Sequence, residues 1–157
     1  QGHDLGLVSE AGMPAVADPG SSVVRAAHDL GIEVRPLVGP VSMLLALAAS
    51  GLNGQSFAFV GYLPQEASRR ATRLRELEAW AQQSGQSQMF IETPYRNAAL
   101  LQALLQQLRP DTRLAVCSGL TLAQQRCTSL RVADWRLRSA ALTADLSAQP
   151  AVFAIGP

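Results

Sequence analysis

The chain has 157 residues, with 48% hydrophobic and 16% charged residues, so it can bury a core and is no disordered tail or solvating linker. Its net charge of +1 lacks the large basic excess of a dedicated nucleic-acid binder. No apolar run approaches the ~20 residues that cross a bilayer, so no transmembrane helix is expected.

The first 54 residues carry two arginines against five acids, or −3, and the remaining 103 carry eleven against seven, or +4. All thirteen basic residues are arginine. Gln1-Gly2-His3-Asp4 has neither the basic start nor the apolar block of a secretory leader, so none is expected. Cys117 and Cys127 have no disulfide-framework or zinc spacing, and are expected to stay reduced in a cytoplasmic protein.

Leu5–Val8 is apolar and predicts a buried strand. Residues 9–20 hold two Gly and two Pro without period and predict a loop. A helix is expected from Ser21 as cap, with Val23, Val24, Ala27 and Leu30 on its apolar face, an Arg25–Asp29 pair outside and Gly31 as stop. Ile32–Leu37 predicts a second strand. Pro40 suits a first helical position, and Val41–Ala49 is apolar nearly all round, so its helix should be covered on most sides. Residues 51–54 mark a domain boundary.

Ser56–Val60 predicts the next strand. Ala71, Leu74, Leu77 and Ala81 then line the inner face of a helix ending at Gly85. Gln88–Ile91 predicts a strand, and Thr93 suits a helix cap ahead of Pro94. Leu101, Leu104, Leu105 and Leu108 form a helical stripe to residue 108. Strands are expected at Arg113–Cys117, Gln125–Leu130 and Ala151–Ile155, with Asp134 capping a short helix between the last two. Alternating strands and helices make this α/β, in two domains, 1–54 and 55–157.

Zinc-protease, Walker and nucleophile-elbow motifs are absent from the sequence. His3 and His28 are better read as surface residues than as catalysts. Three segments could carry chemistry. Met13–Gly20 follows a predicted strand, where α/β sheets bind ligands, but tight turns alone also explain its composition. Val38–Ser42 opens a helix and could receive an anionic or polar group, or need no ligand at all. In Glu92–Asn97, a carboxylate and a guanidinium at a strand-to-helix junction could bind ions or simply pair with each other.

The run Leu7 to Gly20, LVSEAGMPAVADPG, resembles the long loop motif of the tetrapyrrole methylase superfamily. It is most similar to the branch holding the cytidine 2′-O-methyltransferase of small-subunit ribosomal RNA. Pro36–Pro40 resembles that branch's PLPGP turn, Phe57–Pro64 its strand ending GFLP, and Phe90–Arg96 its FYES-x-x-R segment. The resemblance implies an α/β fold of two domains, the first incomplete and the second complete with a mixed sheet. It also implies an S-adenosylmethionine-dependent methyltransferase, with the cofactor folded between the domains. Carried over by position, Glu10, Ala11, Gly12, Met13, Val41, Ser42, Phe90, Pro150 and Ala151 would line the cofactor, and Glu10, Glu92 and Arg96 are the catalytic candidates. No metal is implied. The partners implied are ribosomal RNA or the small subunit, and a second copy in a homodimer.

Two departures qualify the resemblance. The family's opening strand, P-x-G-N turn and following helices have no counterpart here, so the chain enters the pattern midway through the first domain, as a truncated product or fragment. The orphaned strands 5–8 and 32–37 should then expose an edge. Also, Ser118-Gly119 stands where the ribosomal enzymes carry Arg-Glu of R-E-L-T. An acceptor that is a small molecule or protein, and a non-catalytic binding protein of the same fold, remain the alternative readings.

Overall fold

In the computed structural model, residues 2–10, 12–142, 146 and 149–157 are described. The chain divides into two compact units, Gln1–Ser42 and Met43–Pro157. That division precedes the boundary expected after residue 54.

The first unit has little regular structure. Helix α1 spans Ser21–Asp29 and buries no residue. Its cap is Gly20 rather than the expected Ser21, which is already inside the helix. Gly20 has φ 140°, a conformation that favours glycine. The expected Arg25–Asp29 ion pair is not formed. Leu5–Val8 and Ile32–Leu37, both expected as strands, are not strands. A strand exists by its ladder, and among the described residues of this unit the only pairing is an isolated bridge between Ser9 and Gly12. The apolar side chains of Leu5, Val8, Ile32 and Leu37 are accordingly exposed.

The second unit is a five-stranded mixed sheet with helices on both faces. Helix α2 spans Ser42–Ser50, so Pro40 lies ahead of the helix instead of opening it. Strand β1 (Phe57–Tyr62) leads to helix α3 (Ala67–Ser84) and strand β2 (Ser87–Glu92). A short 3-10 turn, Pro94–Arg96, leads into helix α4 (Asn97–Gln107). Strands β3 (Arg113–Ser118) and β4 (Arg126–Arg131), helix α5 (Val132–Leu142) and strand β5 (Ala151–Gly156) complete it. The sheet order is β1-β2-β5-β3-β4, with β1–β2 parallel and the other three pairs antiparallel.

Alternation along the strands sorts two cores. Phe90, Leu114, Val116, Phe153 and Ile155 face one way and pack with Leu74 and Leu77 of α3, Leu100, Leu101 and Leu104 of α4, and Trp135 of α5. Met89, Ala115, Cys117, Val152 and Ala154 face the other way, against Ala46 and Leu47 of α2. Helix α2 is less covered than its composition suggests: only Ala46, Leu47 and Ser50 are buried, while Leu44 and Leu45 are exposed. Helix α3 begins at a cap made by Glu66, whose carboxylate accepts from the amides of Ser68 and Arg69, and ends at Gly85 with φ 71°. Asp134 lies in the first turn of α5, inside a helix of 11 residues rather than capping it.

Candidate active site

Both Gly–Pro bends of the first unit meet. The Met13 amide donates to the Pro40 carbonyl at 3.1 Å. Gly12, with φ 132°, lies so close that a Cβ there would stand 2.2 Å from the same oxygen. Within the loop, Ala15 N donates to Pro19 O at 3.2 Å, and the Ser9 hydroxyl donates to the Asp18 carboxylate. Ala15 and Ala17 have φ 64° and 55°, left-handed values that cost a residue bearing a Cβ. The result is a bend of bare main chain and small side chains. Glu10 is exposed at its turn, Gly12, Met13 and Val41 are half-buried, and Ser42 is exposed. Ala11 lies outside the described residues.

In the second unit, Glu92 ends β2, with its side chain only 4% exposed. Its Oε1 accepts three hydrogen bonds, from Thr93 N at 2.7 Å, Thr93 Oγ1 at 3.2 Å and Arg96 Nη2 at 2.8 Å. The Thr93 hydroxyl therefore bonds Glu92 instead of capping the following turn. Burial pushes the Glu92 carboxyl up, but the Thr93 amide and the Arg96 guanidinium outweigh it and hold the carboxyl below the usual carboxylate range. Arg96 is raised in turn, chiefly by the Glu92 hydrogen bond. Its guanidinium carbon lies 5.1 Å from the Tyr95 ring centroid, within cation–π range, while its Nε is buried without a hydrogen-bond partner. Of the two readings of Glu92–Asn97, the local ion pair is therefore formed. A carboxylate held this way is a weak proton acceptor and a strong anchor for a cation.

Ala151 sits directly across from Glu92 in the β2–β5 ladder and across from Ser118 in β3–β5. The Gly119 amide donates to Pro150 O at 3.3 Å. Glu92, Arg96, Ser118, exposed Pro150 and buried Ala151 thus share one end of the sheet, where β2 and β3 terminate. Phe90 is placed differently. Its ring is fully buried, stacked 6.1 Å from Phe153 in the core, so its side chain cannot line a ligand. Only its main chain remains available.

One organising residue lay unassigned inside the quoted Glu92–Asn97 segment. Asn97 is fully buried, and its Nδ2 donates to Leu146 O at 3.1 Å and Gln149 O at 3.0 Å. It holds the segment entering Pro150 and Ala151. The signal was its position at the first residue of a helix whose inner face is otherwise the leucines Leu100, Leu101 and Leu104. Among the described residues, no group of three or more His, Cys, Asp or Glu could hold a metal ion.

A sequence profile of the tetrapyrrole (corrin/porphyrin) methylases matches residues 1–135. The chain belongs to this family. Similar proteins include the "Ribosomal RNA small subunit methyltransferase I" of Mesorhizobium japonicum, 40% identical over 76% of this chain and 40% of its own length. Those of Vibrio cholerae and Pseudomonas aeruginosa are 32% and 34% identical, each over 85% of this chain and over 45% and 47% of their own lengths. The chain thus spans under half the length of these curated relatives. Solved tetrapyrrole-methylase structures share its fold. The methyltransferase CobJ superposes with a TM-score of 0.55 at 21% identity, over 92% of this chain and 61% of that one. A uroporphyrin-III-C-methyltransferase from Thermus thermophilus gives 0.53 at 21% identity, over 92% and 60%. As a tetrapyrrole methylase, the chain carries within the matched residues both the Gly12–Pro40 bend and the Glu92–Arg96 pair.

Proposed function

We propose that this chain serves an S-adenosylmethionine-dependent methyltransferase acting on small-subunit ribosomal RNA, at a ribose 2′-hydroxyl. The observation that carries the reading is the likeness to relatives named as ribosomal RNA small subunit methyltransferases. The Met13–Pro40 junction supports its cofactor half. Glycine and alanine there leave main-chain groups bare, which suits a donor recognised through its amino-acid and nucleoside groups. Glu10 to Met13, Val41 and Ser42 in the first unit, with the Phe90 main chain, Pro150 and Ala151 in the second, are the residues assigned to it.

When bound, the cofactor supplies a methyl group already activated on its sulfonium. What remains for the protein is to place the acceptor, an effect worth several kcal/mol. Arg96 is assigned to a phosphate or carboxylate of the acceptor, and Glu92 orients Arg96. Glu10 remains the candidate base, because Glu92 is committed to its ion pair. A homodimer and a cytoplasmic location belong to the same reading. The first is supported by the resemblance alone, and the second by the ribosomal acceptor in the relatives' names.

The test is methyl transfer from labelled cofactor to isolated small ribosomal subunits, run beside a metabolite extract and a protein extract. Label in the RNA supports the reading. Label only in metabolites or protein moves the acceptor. Saturating cofactor should raise the melting temperature, with about 2.7 kcal/mol gained at a hundredfold excess over Kd. No shift and no transfer would leave a binding protein that keeps the fold.

A further inference from the structure

Cys117 and Cys127 stand directly opposite each other in the β3–β4 ladder. Opposed residues of antiparallel strands put their side chains on the same face. Their Cα atoms lie about 4.5 or 5.5 Å apart, depending on the class of pair. Both spacings fall within the roughly 4.4–6.8 Å that a disulfide bridges. Closing a bond between these two sulfurs therefore needs no change of register. Both are free thiols.

Their surroundings differ. Cys117 is buried at 1% exposure beneath α2, and its thiol donates to the Ala46 carbonyl at 3.8 Å. Burial, then the neighbouring Cys127 sulfur, push its pKa up to about 12, so near neutral pH it is an unreactive protonated thiol. Cys127 is exposed on β4, the last strand of the sheet order, which among the described residues pairs on one side only. A reagent in solution meets Cys127 first and finds Cys117 behind it.

We propose that Cys127 is a modification site for low-molecular-weight disulfides of the glutathione class, with Cys117 as the resolving thiol that closes a cross-strand disulfide. In the first step the Cys127 thiolate attacks one sulfur of the small disulfide. The S–S bond breaks, a mixed disulfide forms on Cys127, and one small thiol leaves, taking up the proton that Cys127 lost. In the second step Cys117 gives up its proton, leaves the Ala46 carbonyl and attacks the Cys127 sulfur. The second small thiol departs with that proton. The protein dithiol loses two electrons and two protons, and the small disulfide gains them as two thiols. The second step is the slow one, because Cys117 must ionise inside the core.

The bond ties β4 to β3 one ladder position from Ala151, since Val152 lies opposite Cys117 in the β3–β5 ladder. This inference stands apart from the proposed methyl transfer and survives its failure.

The experiment incubates the reduced 157-residue chain with glutathione disulfide and follows intact mass and peptide maps. Near neutral pH, wild type should gain one glutathione on Cys127. At alkaline pH that adduct should give way to a species two hydrogens lighter than the reduced chain, with the peptides bearing Cys117 and Cys127 joined. Cys117→Ala should stop at the adduct at every pH, and Cys127→Ser should stay unmodified. Cys117→Ala places a small residue among Ala46, Ala115 and Ala154, and Cys127→Ser alters only an exposed site, so the second variant remains informative if the first fails to fold. An adduct that persists in wild type at alkaline pH, a disulfide joining two chains, or modification of Cys127→Ser at the wild-type rate would overturn the proposal.

Discussion

Arg96 donates from Nη2 to Glu92 Oε1 at 2.8 Å, across the junction between β2 and the turn that precedes α4. The pair is joined on the same oxygen by the amide and hydroxyl of Thr93. Because the folded carboxyl titrates below its unfolded value of about 4.3, the pair's stabilisation is fully present above that value. It is lost as pH falls through the lower, folded value. Urea melts of wild type and Glu92→Gln should therefore differ most near neutrality, and the gap should narrow in acid. A gap that stays constant down to the acid limit would mean that the charge of Glu92 contributes nothing to stability. Turnover of the same variant tests the proposed role: unchanged turnover removes Glu92 as an orienter of Arg96.

Gly12 has no room for a side chain. Gly12→Ala would force a methyl onto the Pro40 carbonyl, at a φ that L-residues rarely adopt. The expected cost is about 2 kcal/mol or more, confined to the first unit. Hydrogen exchange should speed up across residues 9–20 and around residue 40, while the five-stranded sheet keeps its protection. Equal loosening of the sheet would contradict the division into two units.

Asn97 carries two main-chain carbonyls that precede β5. Asn97→Ala leaves Leu146 O and Gln149 O without that donor, and should cost about 2 kcal/mol by denaturant unfolding. Its effect on cofactor binding, if the proposed role of Pro150 and Ala151 holds, is a weaker thermal shift at a given cofactor concentration. An unaltered stability would show that those carbonyls find water.

Glu78 ties α3 to the loop entering β3. Its Oε1 accepts from the Arg109 amide at 2.8 Å and from the Thr112 hydroxyl, and the residue is buried. Glu78→Ala should cost about 1–3 kcal/mol, and Glu78→Gln should recover part of it, since the amide oxygen still accepts. Denaturant midpoints of the three proteins check the order.

The α3 stripe of Leu74, Leu77 and Ala81 and the α4 stripe of Leu101, Leu104 and Leu108 were legible because each buries one face of a 3.6-residue period. Glu78 was not, because a carboxylate beside Leu77 reads as solvent-facing unless its amide and hydroxyl partners, more than thirty residues away, are known. The same non-locality hid the state of Leu5–Val8 and Ile32–Leu37. Their composition is that of strands, but the ladder that makes a strand comes from another segment, and none pairs with them among the described residues. In the candidate site, the spacing of Glu92 and Arg96 left ion binding and a mutual pair equally open, and the 2.8 Å contact between them decides for the pair. The inward turn of the Phe90 ring was not legible either, since alternation gives two faces without saying which one meets a ligand.

The position of β5 has a consequence for assembly. It follows the other four strands of the sheet in sequence and stands in the middle of the sheet, between β2 and β3. Until residues 151–156 emerge during synthesis, the remaining strands form two disconnected pairs, β1 with β2 and β3 with β4, each with an open seam. The final strand acts as a zip that joins them late, so a chain cut short before Ala151 would present two sticky half-sheets to its neighbours.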